Sequence, residues 1–213
     1  YNTVVGDEAG TAITTGDYNV AVGYDSLTVD TLGGNSVAIG AFALRDQNFT
    51  SATNAYNVGV GYEAGGSVTT GVQNTVIGSL AGDALTVGQR NVALGKGALT
   101  TDVGGSKSVA IGHSALESQN LGSSDTDSNN VAVGYNAGAG VTTGVQNTLI
   151  GAFAGDATTT ANENTAIGYT ALSANTTAAG NTAVGSRSLL ATTTGATNAG
   201  LGKDSLAANT TGA

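Results

Sequence analysis

The side chains that could carry out chemistry are few in this sequence, and they stand apart from one another. His113 is the single histidine. Ser and Thr are spread over the whole chain, so none can be matched to His113 as a nucleophile. His113 also occupies a variable position of a repeated segment, which favours a solvated corner residue over a general base. We therefore predict no catalytic residue and no enzymatic activity.

Two other segments begin like ligand-binding motifs and then depart from them. DTDSNN (125–130) starts as a calcium loop does, but Asn130 stands where that loop needs Gly and Asn136 where it needs an acid. VGVGYEAGG (58–66) is rich in glycine, but it is one copy of a repeat and opens no helix, so it does not predict a phosphate site. Without Cys there is neither a thiolate metal site nor a disulfide. We expect no metal and no cofactor.

Composition narrows the possible partners further. The formal net charge is −9, and the six Lys and Arg are scattered rather than clustered, which argues against a nucleic-acid partner. The chain has no run of 18 apolar residues and no basic amphipathic face, so we expect no direct membrane insertion. It begins at Tyr1 rather than Met, and we expect residues 1–213 to be a single repeat domain of a longer fibre.

A glycine that follows two mostly aliphatic residues recurs at a nearly fixed period. The spacing is 17 residues, apart from one spacing of 21 and one of 22. We call these twelve positions the corner glycines: Gly6, Gly23, Gly40, Gly61, Gly78, Gly95, Gly112, Gly134, Gly151, Gly168, Gly185 and Gly202. Such a period predicts a solenoid of about twelve 17-residue coils.

Each unit has its own positional rules. Four residues before the corner glycine stands Asn, replaced twice by Ser36 and Ser108. A three-residue alternating segment follows, which predicts a short strand that ends at the glycine. We expect the face of Val131 and Val133 to be the packed interior, and the face of Asn130 and Ala132 to meet another backbone. Stacked in parallel at ~4.8 Å, the twelve units would form a rod roughly 55 Å long with a ladder of Asn side chains.

A longer period groups the units in fours. SVTTGVQNTVIGSLAGDA (67–84) returns as GVTTGVQNTLIGAFAGDA (140–157), 73 residues later. From Gly61 onward, the fourth residue after the corner glycine runs Gly, Gly, Leu, Leu in each block.

A helical repeat is disfavoured. The units are rich in Gly, Val, Thr and Asn, and they have no apolar stripe with a 3.6-residue period.

Two columns of side chains suggest further functions. Adjacent Thr pairs recur, as in TTG at 69–71, and flat Thr arrays would suit an ice-binding solenoid. Neighbouring strand residues point to opposite faces, however, so we rank ice binding below a fibre function. The aromatic residues cluster around the corners, where they would cover the roll, and a Tyr row could also bind sugar.

Several repeats resemble those of known fibres. NSVAIGAFA (35–43) and SVAIGHSA (108–115) are similar to the head repeats of trimeric autotransporter adhesins. NTAIGYTALSANTTAAGNTAVG (164–185) is similar to repeats of phage tail fibres. The resemblance covers essentially the whole chain and implies an all-β fold, a parallel β-solenoid in the form of a single-stranded left-handed β-roll, with three chains packed around one axis. It implies an extracellular location, on a virion tail fibre or a bacterial surface.

We therefore expect a homotrimeric fibre segment that attaches to a cell surface through a glycan or protein receptor, or else a purely structural filament or matrix protein. The small strand residues would pack between identical chains. Two long loops, 45–56 and 117–130, start at the same point of the unit and should leave the same side of the roll. Their candidate receptor-facing residues are Arg45, Asp46, Gln47, Asn48, Phe49, Glu117, Gln119, Asn120, Asp125 and Asp127.

Overall fold

The computed structural model describes residues 1–212, and over that range every regular element is a β-strand. Each of the twelve repeats contributes one three-residue strand to a single parallel sheet, so the predicted parallel β-solenoid is confirmed. In spatial order the strands of this sheet are β1 (Thr3–Val5), β2 (Val20–Val22), β4 (Val37–Ile39), β6 (Val58–Val60), β7 (Thr75–Ile77), β8 (Val92–Leu94), β10 (Val109–Ile111), β12 (Val131–Val133), β13 (Thr148–Ile150), β14 (Thr165–Ile167), β15 (Thr182–Val184) and β16 (Ala199–Leu201).

Four shorter strands lie beside the long loops. They form two separate parallel pairs, in which the end of each loop joins the return segment of the preceding coil. The pairs consist of β3 (Gly33–Gly34) with β5 (Thr53–Asn54), and β9 (Gly105–Ser106) with β11 (Thr126–Asp127). Both loops rejoin the roll through the same pairing, which places them on the same side, four coils apart.

The corner glycines have a backbone conformation that other residues rarely adopt. Their φ angles lie between 112° and 141°. A Cβ atom on Gly40 would stand 2.5 Å from the carbonyl oxygen of Gly61, the corner glycine of the next coil. Both the conformation and the close stacking of backbones therefore require glycine at this position, as the repeat predicts.

The predicted orientation of the strands is wrong. Asn130 and Ala132 are fully buried inside the coil, whereas Val131 and Val133 are half-exposed on its outer face. The interior is narrow, and the small strand-centre residue leaves room there for a bulkier side chain from another position. The small strand-centre residues, which we expect from the sequence to pack between chains, therefore lie inside one chain.

Asparagine joins the coils from inside. The Oδ1 of Asn147 accepts the backbone N–H of Asn164 in the next coil, at 3.0 Å. Its Nδ2 donates to the carbonyl of Ala161 in its own coil, at 2.9 Å, and so connects the strand to the return segment. The same two contacts recur along the roll, and most of these Asn side chains are fully buried. The predicted Asn ladder is confirmed, although most of its hydrogen bonds run from side chain to backbone.

Leucine four residues after the corner glycine supplies most of the core volume. These leucines are fully buried in most coils even though their φ angles are positive, as at Leu44 with 47°. A Cβ atom on Gly59, at the centre of the next strand, would lie 2.8 Å from the Cγ of Leu44. A coil with this Leu therefore needs a small residue at the strand centre above it.

The four-coil period arises because the large core side chain comes from different positions in different coils. We call this the exchange. Leu149 stands at a strand centre, and a Cβ atom on either Gly138 or Gly155 would approach its methyl groups to 2.7 Å. Val76 lies in the same way between Gly65 and Gly82. Coils can thus be named by the residue four after the corner glycine. Two Leu coils, whose strand-centre residues are small, alternate with two Gly coils, one of which has a large residue at its strand centre.

This exchange predicts a rescue. Leu149→Ala should lower the free energy of unfolding by about 2–5 kcal/mol, because it leaves a cavity between two glycines. Adding Gly155→Leu should restore more than half of that loss. The coil then has the same core residues as the natural coil with Ala183 at the strand centre and Leu189 four residues after the corner glycine. Thr158 already matches the third core residue of that coil, Thr192. Chemical denaturation measures both variants. A double variant no more stable than Leu149→Ala would contradict the exchange.

Candidate attachment surfaces

Each long loop leaves the roll above a buried hydrogen-bond network. Below the second loop, the Nε2 of Gln119 donates to the Oδ2 of Asp102 at 2.5 Å and to the Oγ of Ser108 at 2.9 Å. The Oε1 of Gln119 accepts from the Nδ2 of Asn130 at 2.8 Å. All four side chains are fully buried. This network fixes the start of the loop to the rigid stack.

The first loop has the same network, built from equivalent residues. The Nε2 of Gln47 donates to Asp30 at 2.6 Å and to Ser36 at 3.1 Å, and its Oε1 accepts from Asn57 at 2.8 Å. Each of these two coils contains a long loop. In each, the Gln at the start of the loop donates a hydrogen bond to the Ser that stands in place of the ladder Asn. The two Ser exceptions and the repeated Gln are thus one structural feature.

The structure divides the candidate receptor-facing residues into two groups. Gln47, Gln119 and Phe49 are buried, so their side chains offer no surface to a receptor in this chain. Arg45, Asp46 and Asn120 are half-exposed, and Asn48, Glu117, Asp125 and Asp127 are exposed. The candidate residues of the first loop lie four coils from those of the second, or about 19 Å at the strand spacing, so the two loops form no single site. For the exposed residues, a receptor role stays a prediction.

The acids of the second loop contact neighbouring side chains. Asp127 pairs with Lys107, with 2.5 Å between Oδ2 and Nζ. Asp125 accepts a hydrogen bond from the Nε2 of Gln89 at 2.6 Å and another from Ser106. The DTDSNN segment is therefore held against the roll by polar contacts. Within residues 1–212, no group of three or more His, Cys, Asp or Glu side chains is arranged to hold a metal ion.

The outer face of the main sheet is apolar and partly open. Its two columns are the first and third residues of each strand, and neither column contains a charged residue. Large aliphatic side chains remain well exposed even in the middle of the rod: Ile39 is 40% exposed, Leu94 43% and Ile150 37%. A contiguous apolar patch of this kind often marks a functional contact surface.

Aromatic side chains line the corner beside this face. Tyr24, Phe42 and Tyr62 form an edge-to-face series with centroid distances of 5.3 and 5.8 Å. A second series begins at His113, which stacks on Tyr135, and continues through Phe153 to Tyr169. The predicted corner position of these residues is confirmed, and the exposed His113 belongs to one of the two series.

The Thr column is largely occupied by contacts between coils. The Oγ1 of Thr14 donates to the carbonyl of Thr31 at 2.9 Å, and Thr159 donates in the same way to Thr176, also at 2.9 Å. Four other members of the column do the same. A hydroxyl that already donates within the chain cannot donate to an ice surface, which weakens the ice-binding alternative.

A cleft of about 500 Å³ opens beside the first long loop. Tyr18 and Tyr56 stand two coils apart in it, and Asn35 occupies the coil between them. The loop residues Thr53 and Asn54 form one of its walls. The sequence gives the positions of the two tyrosines, but not the loop wall that turns this corner into a cleft.

The buried carboxyl of Asp102 predicts a dependence of stability on pH. Burial raises its pKa above the ordinary value of 3.8, against the opposing hydrogen bonds from Gln119 and three backbone N–H groups. The folded chain therefore binds this proton more tightly than the unfolded chain. Its contribution to stability is fully present below 3.8 and is lost as the pH rises through the folded-state pKa.

Asp102→Asn should remove this contribution, so that stability rises less as the pH falls from neutral to about 4. Part of the rise should remain, because burial also raises the pKa of Asp156. Asn175→Asp is the reverse variant, because Asn175 is fully buried in the equivalent turn. It should steepen the same rise. Urea denaturation at several pH values measures the slope, and a slope unchanged in both variants would contradict this role of burial.

A functional hypothesis for this chain rests on its own sequence and geometry, as comparisons with known proteins show. Over residues 1–212, no helix is long and apolar enough to cross a membrane. No protein-family model, no curated protein and no solved structure matches the chain.

Proposed function

We propose that this chain is an extracellular structural and adhesive fibre segment, a homotrimer that forms part of a phage tail fibre or a trimeric surface adhesin. The observation that carries the proposal is the uncharged, partly exposed outer face of the twelve strands, whose third-residue column is aliphatic throughout and whose first-residue column is Val, Thr or Ala. The repeats that resemble fibre repeats support the same function. In this proposal the outer face, and not the strand-centre alanines, packs around the trimer axis.

The size of the face suits association between chains. Twelve strands at ~4.8 Å spacing extend for about 53 Å, and three residues span about 10 Å, which gives roughly 500 Å² of sheet surface. The corner aromatics beside it add further apolar surface, and a standard interface buries ~800 Å² per partner. Burying this area removes aliphatic side chains from water, at about 25 cal/mol for each Å².

Identical chains are the partners that this surface fits best. It lacks charged groups that would select a different protein by complementarity, although the chain has a net charge of −9. Its strands repeat at a single spacing, so a second copy in register would present the same pleat at every coil. A closed symmetric assembly would then cover the face in each copy.

Attachment would use the surfaces that point away from the axis, including the exposed ends of the long loops. The runner-up function is a purely structural filament, which needs the same assembly but no receptor. Incubating purified protein with bacterial cells separates the two, because only an adhesive segment remains bound to the cells after washing.

The oligomeric state tests the proposal directly. The unmodified chain should sediment as a trimer at micromolar concentration. Ile150→Glu should reduce assembly at least about tenfold, since it places an unpaired carboxylate in each buried interface. Thr160→Glu is the matched control, with the same added charge at an exposed position on the return segment of that coil, and it should remain trimeric.

A folded monomer of the unmodified chain at micromolar concentration would contradict the proposal. Equal effects of Ile150→Glu and Thr160→Glu would show instead that added charge, rather than its position on the outer face, controls assembly. Circular dichroism on both variants confirms that each has kept the β-solenoid.

A further inference from the structure

The cleft beside the first long loop has the composition of a small polar binding site with aromatic walls. Tyr18 and Tyr56 are 60% and 52% exposed, and they stand two coils apart, or about 9.6 Å at the strand spacing. Both have positive φ angles, 64° and 51°, which fix the direction in which each side chain leaves the roll. Tyrosines placed in this way present flat apolar rings with hydroxyl groups at their tips.

Two amides line the cleft beside the tyrosines. The Nδ2 of Asn35 donates to the Oδ1 of Asn54 at 2.9 Å. Within the described chain, the Oδ1 of Asn35 and the Nδ2 of Asn54 have no hydrogen-bond partner, so the pair keeps one acceptor and one donor for a ligand. Asp17 also lines the cleft, and its carboxylate pairs with the N-terminal ammonium of Tyr1 at 2.8 Å. Neither Lys nor Arg is among the described lining residues.

The equivalent place beside the second loop provides an internal comparison. There Lys107 and Asp127 replace the two asparagines, as the matching strand pairs Gly34–Asn54 and Ser106–Asp127 show, and they form an ion pair. Arg90 stands where Tyr18 does, and Asn129 stands where Tyr56 does. The same backbone thus carries an aromatic cleft lined by two asparagines in one block, and an ion pair at the equivalent positions in the other.

We propose that the cleft of Tyr18, Asn35, Asn54 and Tyr56 binds a neutral saccharide. Sugar rings present C–H groups that pack on aromatic faces, and hydroxyl or acetamido groups that bond to paired amides. The described lining holds no Lys or Arg that could pair with a carboxylate of the ligand, which disfavours sialylated and uronic-acid glycans. This inference rests on the proposed function, because it names the ligand class by which an adhesive fibre would attach.

A panel of immobilised oligosaccharides tests the inference with the full chain. The panel contains neutral hexose and N-acetylhexosamine oligosaccharides, together with sialylated and uronic-acid forms. At least one neutral member should bind, and Tyr18→Asn or Tyr56→Asn should each weaken that binding by about tenfold or more. Asparagine is chosen because Asn35 and Asn129 already adopt positive φ at the same position of the unit, so the backbone is kept. Arg90→Asn is the matched control in the second block and should bind as the unmodified chain does.

Three results would overturn the inference. These are no binding of any neutral member at millimolar concentration, binding that survives both Tyr variants, or binding of the acidic members alone. The proposed function fails separately, if the chain is monomeric or does not adhere to cells. A trimer that adheres to cells equally well with Tyr18→Asn and Tyr56→Asn would keep the function and locate attachment elsewhere.

Discussion

The structure depends on one buried contact, the two-sided hydrogen bonding of the ladder asparagine. Its amide nitrogen joins the strand to the return segment of the same coil, and its oxygen holds the backbone of the next coil. A 17-residue coil with strands of only three residues has few other long-range contacts within itself. Without these bonds, buried carbonyl and N–H groups would lose their partners, at about 1–3 kcal/mol each. Serine enters the ladder only where the glutamine of the same coil adds hydrogen bonds, at Gln47 and Gln119.

The orientation of the strand side chains is tied to this buried amide. Because Asn and the strand-centre residue share a face, the interior side of most strands carries small side chains, and Leu from the corner fills the remaining space. The aliphatic first and third residues of the strand then point outward, where one chain alone cannot cover them. The same stacking that holds the coils together thus creates the apolar face on which the proposed self-association depends. It also gives the long loops and the tyrosine cleft a rigid support.

Much of this architecture could be predicted from the sequence, because the period, the corner glycines and the Asn column each reflect a backbone requirement. The direction of the strand faces could not, since a three-residue strand such as Val131–Val133 alternates in the same way whichever side is inside. The inward hydrogen bonds of Asn and the space that Leu from the corner fills decide it together. The buried roles of Gln47 and Gln119 and the tyrosine cleft also escaped prediction. They depend on where the loops return, which the spacing does not give.

The free energy of unfolding of Asn147→Leu tests the central role of the ladder most directly. Leucine is close to asparagine in size and shape, so the change removes hydrogen bonds while largely keeping the volume. It would leave the Asn164 N–H and the Ala161 carbonyl buried without these partners. Our account predicts a loss of about 2–6 kcal/mol relative to the unmodified chain, measured by chemical denaturation. A loss below about 1 kcal/mol, the net worth of one ordinary hydrogen bond, would contradict it.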